Sequence, residues 1–186
     1  MSLERISMNR NLILGADIDD SVTESLMKSI LNINYDDDLK QKEFADFKRE
    51  PIKLYINTNG GSVLDTLGLV GVIENSKTPI YTICTGKALS GGIIVLLAGY
   101  KRFAYKYSTV MYHGIAGFLV DKVEGIKQSL EQADKEQNII DDIVLNKTNI
   151  LKEKLEEIRQ SKKDWFISAQ EALKLGIIDE IIDFKR

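Results

Sequence analysis

The 186-residue sequence contains one cysteine, two prolines, one tryptophan and one histidine. With Cys84 as the sole thiol, no disulfide can form within the chain, which excludes a cross-linked secreted scaffold and fits a reducing compartment. Its place in the apolar run Ile80-Tyr81-Thr82-Ile83-Cys84 reads as a small buried hydrophobe in a strand rather than a reactive thiol. Long hydrophobic runs are missing as well. The longest, Ile93 to Ala98, has six residues, against the roughly 20 that a membrane helix needs. Met1 to Asn11 carries two arginines but no apolar signal-peptide core. A basic surplus is absent too: the net charge of -3 leaves nothing to offset nucleic-acid phosphates. These absences predict a soluble, cytoplasmic protein with neither membrane nor nucleic acid as partner.

What is present is ordinary globular composition, 44% apolar and 28% charged, on a chain long enough for one well-cored domain spanning residues 1–186. Asn11 to Gly15 reads as a strand and turn, and Ser21-Val22-Thr23-Glu24 has capping-box spacing ahead of Val22, Leu26, Ile30 and Ile33. Tyr35 to Glu50 is densely charged and reads as a solvated helix extension or loop. Ile52–Asn57 is then a strand, Thr58–Gly61 a turn, and Ser62 starts a helix with Leu64, Leu67, Val70 and Ile73 inward. Gly68 and Gly71 in that helix suggest close contact with a neighbouring element.

The pattern recurs: strand Pro79–Cys84, turn Thr85–Leu89, helix Ser90–Ala98, and short strands at Arg102–Tyr105 and Thr109–Tyr112. A long helix capped by Asp121 and Glu124 runs to about Thr148, with Val123, Ile126, Leu130, Ala133, Ile140 and Val144 as its stripe. Ser168-Ala169-Gln170-Glu171 is a further capping box, its helix stopped by Gly176 before a strand at Ile177–Ile182. Strands alternating with helices predict parallel pairing and an α/β fold.

Two strand-to-helix junctions carry chemistry. Asn59-Gly60-Gly61-Ser62 and Ser90-Gly91-Gly92 place glycines where helix-start N–H groups point outward with partial positive charge. If they face each other, Gly61 and Gly91 N–H could bind a developing oxyanion. Phosphate binding is the rival use of such loops, but Gly60-Gly61-Ser62 has neither the G-x-x-x-x-G-K-[ST] nor the G-x-G-x-x-G spacing. Ser90 could be a nucleophile, which needs a neighbouring base, and His113 is the single imidazole available, 23 residues on. Taken singly, Ser90 also reads as a helix N-cap, His113 as a structural histidine, and Asp164, beside Lys162 and Lys163, as a surface acid.

Taken together, Asn57-Thr58-Asn59-Gly60-Gly61-Ser62-Val63, Ala88-Leu89-Ser90-Gly91-Gly92, Lys101-Arg102-Phe103-Ala104, Val110-Met111-Tyr112-His113 and Asp164 through Ala172 follow one another in an order that resembles the ClpP family of serine peptidases. The resemblance spans about residues 11 to 183. It implies Ser90 as nucleophile, His113 as base, Asp164 as orienting acid, and Gly61 and Gly91 as oxyanion-hole donors. It also implies that an extended peptide lies between Ser62-Val63 and Ile115-Ala116-Gly117. The fold it implies is the ClpP/crotonase-type repeat of β-β-α units in a superhelix, with a protruding handle at about residues 114–149. It further implies a homo-oligomer of stacked heptameric rings enclosing a chamber for peptides or unfolded protein, with an AAA+ unfoldase as possible partner and no cofactor or metal.

The chain departs from the family pattern in three places. Thr58-Asn59 stands where Ser-Pro is usual, Gly91 where Met is, and Gly114-Ile115 where Gln-Pro is. About ten residues precede the first strand, fewer than is usual in the family, and the charged Tyr35–Glu50 stretch is longer than usual. Two other readings stay open on the sequence: a crotonase-type enzyme stabilising an acyl-CoA enolate, and a non-catalytic ring subunit.

Overall fold

A computed structural model describes residues 9–117 and 120–183. Strand β1 (Asn11–Leu14) leads into helix α1 (Asp20–Glu43), and β2 (Ile52–Thr58) into α2 (Val63–Glu74). β3 (Ile80–Leu89) is followed by the short α3 (Gly91–Leu97), then by β4 (Lys101–Tyr105) and β5 (Thr109–Tyr112). Helices α4 (Val123–Lys147) and α5 (Lys152–Ser161) precede β6 (Trp165–Ser168), α6 (Ala169–Lys174) and β7 (Glu180–Ile182). Among the described residues no helix is long and apolar enough to cross a membrane.

The fold is mixed α/β, and its sheet is parallel except for one pair. β1, β2, β3, β4 and β7 lie side by side in parallel, while β5 runs parallel to β3 and pairs antiparallel with β6. Parallel neighbours need crossovers, and α1, α2 and α3 supply them. β2 shows why the sequence makes a strand here: Ile52, Leu54 and Ile56 are buried on one face, and Lys53 and Asn57 are exposed on the other. β3 is the long central member, pairing β4 through Tyr81–Cys84 and β5 through Lys87–Leu89. The sequence predicts a turn for its second half, Thr85–Leu89. Pairing with β5 keeps it extended, a long-range effect that local residues do not encode.

The core gathers where the strands meet α3. Ile93 to Leu97 are all buried, which explains the apolar run: this helix is enclosed on every side. Cys84 is fully buried in β3 as expected, and burial pushes its thiol up to about 11, so it stays protonated and inert at neutral pH.

Several sequence expectations need correction. α1 is capped by Asp19, whose carboxylate accepts the Val22 N–H at 2.8 Å, rather than by Ser21. It continues to Glu43, so the charged stretch is helical for half its length, and Asp37 within it is fully buried rather than solvated. Leu64 points outward, and Thr66, Leu69, Val70 and Ile73 form the buried face of α2. Gly68 does meet α1, at Met27, but Gly71 faces open space. In α4 only the C-terminal part of the predicted stripe is buried, at Ile140 and Val144, while Val123 and Leu130 are exposed. Its N-cap is Lys122, with no side-chain cap. α5 was not foreseen. Phe118 and Leu119, within the expected handle region, and residues 1–8, within the expected N-terminal segment, lie outside the described residues.

The Ser168 capping box is present in full: Ser168 Oγ accepts the Glu171 N–H, and the Glu171 carboxylate accepts the Ser168 N–H at 2.9 Å. Gly176, at φ 69°, ends the segment after α6. Ser168→Ala is expected to lower stability by about 1 kcal/mol, the ordinary worth of a helix N-cap. Urea unfolding with an unchanged slope would register it as a shifted midpoint.

Candidate active site

Ser90 stands between β3 and α3, where the chain must turn from strand to helix within one residue. It adopts φ 52°, ψ -121°, a left-handed conformation costly for a residue with a Cβ. Its N–H is held by the Met111 carbonyl of β5 at 3.0 Å, which ties the turn to the neighbouring strand. Although Ser90 occupies the cap position of α3, its side chain makes no capping bond. The hydroxyl turns instead to His113, with Oγ 2.8 Å from Nε2. A strained strand-to-helix turn that presents a hydroxyl to an imidazole is what an exposed nucleophile requires.

His113 follows directly on β5, and because β5 pairs with β3, the register that sets Leu89 against Met111 also sets Ser90 near His113. On its other side, His113 Nδ1 lies 4.0 Å from Oδ1 of Asp164, the residue before β6. β6 pairs antiparallel with β5, matching Tyr112 with Trp165, so the two residues just beyond that pair face each other. At 4.0 Å the contact is about 1 Å longer than a hydrogen bond. Serine, histidine and aspartate thus come from three separate strand ends joined at β5. With the proton on Nδ1, Nε2 is the acceptor for the Ser90 hydroxyl.

The glycine junctions converge on the same point. Gly60 has φ 99°, and a Cβ there would lie 2.7 Å from both the Leu89 carbonyl oxygen and Ser90 Cβ, so only glycine lets this turn rest against the serine. Gly61 forms a bridge with Ile18, held by Ile18 N–H to the Gly60 carbonyl at 2.7 Å and Ser62 N–H to the Ile18 carbonyl at 2.9 Å. Gly91 is the first residue of α3, where the backbone N–H has no partner within the helix.

A narrow cleft of about 60 Å³ is lined by Gly61, Ser90, Gly91 and His113, together with Val63, Thr66, Ile94, Tyr112 and Ile140 and the segment Gly114–Ala116. Of the residues expected to hold substrate, Val63, Ile115 and Ala116 line it. Ser62 does not, and its hydroxyl instead caps α2 by accepting the Asp65 N–H. Gly117 is exposed outside the cleft. A broader groove of about 960 Å³ continues from His113 and Asp164 between α4 and α5.

Sequence reading missed the polar cluster under His113. Tyr112, Gln137, Asp141 and Arg159 bond one another there, and Gln137 also reaches the Ile115 N–H. The available signal was a buried-side polar pair four residues apart on α4, Gln137 and Asp141, interrupting its apolar stripe. Thr66, which packs where a Cβ on Gly91 would fall, was missed as well.

The family model described as Clp protease matches residues 1–185. The ATP-dependent Clp protease proteolytic subunit of Deinococcus radiodurans is 32% identical over 189 aligned positions, covering 98% of this chain and 84% of that protein. The ATP-dependent Clp protease proteolytic subunit 2 of Prochlorococcus marinus (strain MIT 9312) is also 32% identical, covering 96% of this chain and 83% of its own. Subunit 3 of Synechococcus sp. (strain CC9902) is 30% identical, with 96% and 84% covered.

Proposed function

Because this chain belongs to the Clp protease family, a family of serine-type endopeptidases, we propose that it hydrolyses peptide bonds with Ser90 as nucleophile, His113 as general base and Asp164 as the acid that orients the imidazole. The observation that carries this is the 2.8 Å contact between Ser90 Oγ and His113 Nε2, made from a backbone conformation that serine adopts only at a cost.

The steps follow from these positions. Ser90 Oγ attacks the peptide carbonyl carbon while His113 Nε2 takes its proton, and the resulting imidazolium faces Asp164. The carbonyl oxygen, now negative, is met by the N–H groups of Gly61 and Gly91 at the cleft wall. His113 returns the proton to the leaving amine, and water then enters and is activated by the same imidazole to release the acyl group. The sequence needs no cofactor. The His113–Asp164 contact must tighten by about 1 Å, as catalytic contacts commonly do once substrate is bound.

The substrate is an extended peptide or unfolded chain added as a strand beside Val63 and the Gly114–Ala116 segment, with backbone pairing supplying most of the affinity. The chain acts in the cytoplasm as one domain whose copies form stacked rings around a chamber. The superhelical β-β-α repeat builds the ring, and the region about residues 114–149 is the handle between rings; exposed Val123 and Leu130 on α4 give it an apolar contact face. An AAA+ unfoldase is the fitting partner for a chamber that takes unfolded protein.

The decisive experiment treats the purified protein with a fluorophosphonate and measures its solution mass. Labelling at Ser90 within a large assembly is expected, and a folded assembly that leaves Ser90 unlabelled overturns the reading. Asp164→Asn is expected to lower kcat by about 10²-fold at neutral pH, less than for a buried triad acid because the carboxylate is half-exposed. Steady-state peptide cleavage checks it.

A further inference from the structure

The polar cluster under His113 takes no part in the steps above. Tyr112 donates its hydroxyl proton to Asp141 Oδ1, and Gln137 donates from Nε2 to the same oxygen at 2.8 Å and to the Tyr112 oxygen at 3.1 Å. Arg159 of α5 pairs with Asp141 Oδ2 at 3.1 Å. Gln137 Oε1 accepts the Ile115 N–H at 2.7 Å. Only one orientation of the Gln137 amide serves all of these partners. The Ile115 N–H demands an oxygen and the Asp141 carboxylate demands an N–H, so the network itself sets the flip. Tyr112, Gln137 and Asp141 are each at most 9% exposed, so a partner lost here is not replaced by water without cost.

The cluster has a direction. Tyr112 precedes the histidine and Ile115 follows it by two, and both are fastened to the same turn of α4. Between them lies only His113-Gly114, and glycine adds no rigidity of its own. An Ile115 N–H already bonded to Gln137 is not free for a peptide, which leaves the backbone groups of Gly114 and Ala116, residues that line the cleft with it, to receive one.

We propose that Gln137 is a positioning residue for substrate: by holding the Ile115 N–H against α4, with Tyr112 pinned by Asp141 alongside, it locks the segment after His113 so that Gly114 and Ala116 receive the peptide strand. This rests on the peptidase reading above. It also changes the part of Ile115, which supplies cleft surface rather than a backbone bond to the peptide.

Two measurements test it. In the wild-type protein, amide hydrogen exchange is followed with and without a peptidyl phosphonate attached to Ser90. The Ile115 amide is expected to be slow in both states, and the Ala116 amide to slow by about tenfold or more only in the complex. Protection of Ile115 that appears only in the complex, or an Ala116 amide that does not respond, overturns the proposal. In Gln137→Ala, KM for an extended peptide is expected to rise about tenfold, with kcat and the rate of Ser90 labelling by a small fluorophosphonate within about threefold of wild type. Asp141→Asn keeps an acceptor for Tyr112 and leaves the Gln137–Ile115 bond in place, so its KM is expected to rise less. Peptide turnover and labelling that fall together in Gln137→Ala would mean a merely structural role, and unchanged KM would mean none. A wild-type protein that fails to label at all would instead remove the peptidase reading beneath the proposal, a result separate from these.

Discussion

Ser90→Ala is expected to lower kcat on a peptide by about 10⁵-fold or more, while leaving the fold in place. In the proposed mechanism the size follows from the loss of the covalent route: without the hydroxyl, His113 would have no nucleophile to activate, and only the Gly61 and Gly91 N–H groups and binding would remain. Stability should hardly change, for a reason visible in the turn. Had Ser90 been a true helix cap, alanine would cost about 1 kcal/mol. Its hydroxyl makes no capping bond and points at His113. Alanine bears the same left-handed strain as serine, so that term cancels. Steady-state kinetics and thermal unfolding on the same preparation check both halves. A variant that cleaves small peptides at the wild-type rate would remove Ser90 from the mechanism.

Asp37→Ala is expected to destabilise the protein by about 3–5 kcal/mol, the cost of stripping one partner from a buried ion pair. Asp37 is fully buried on α1 and receives the Arg10 guanidinium on both carboxylate oxygens and the Thr78 hydroxyl at 2.7 Å. Arg10 also donates to the Glu50 carbonyl at 2.8 Å, and Arg49 donates to Thr78 at 3.1 Å while pairing with Asp38. Removing the carboxylate leaves Arg10, itself only 15% exposed, facing a cavity. Equilibrium denaturation of wild type and variant gives the difference directly.

The pH dependence of that difference has a definite sign. Burial alone would raise the Asp37 pKa, but hydrogen bonds from Arg10 and Thr78 and the charges of Arg10 and Arg49 outweigh it and hold the carboxyl below its ordinary value. A depressed folded-state pKa contributes stability above the unfolded value, about 3.9, and that stability is lost as pH falls through the folded value. The gap between wild type and Asp37→Ala is therefore expected to be full at neutral pH and to narrow below about pH 4, as the charge-dependent part is lost. A gap unchanged down to pH 2 would show that the charge of Asp37 contributes nothing.

The charged stretch containing Asp37 shows where local reading fails. Three consecutive aspartates, Asp36, Asp37 and Asp38, look like a solvated face, and two of them do reach the surface. The middle one is buried because Arg10, Arg49 and Thr78, distant in sequence, are brought around it. The strand character of Thr85–Leu89 is hidden for a similar reason, since its pairing partner β5 lies about 20 residues further along the chain. The departure at Gly114-Ile115 was plain in the sequence. Its counterpart was not: Gln137 lies 22 residues on, across a helix that periodicity marks only as amphipathic.

The sequence alone determined the alternation that makes a parallel α/β sheet, the capping box at Ser168, the glycines at two helix starts, and the identities of Ser90, His113 and Asp164 as the groups to watch. The first three are local signals, period, cap chemistry and residue type, each readable within a few positions; the last came from the order of motifs along the whole chain. Only the tertiary structure decided that Ser90 faces His113 instead of capping α3, that Asp164 stands 4.0 Å beyond, and that Ile115 is fastened to Gln137. Those outcomes depend on the register of β5 against β3 and β6, and pairing register is set by the whole core packing at once.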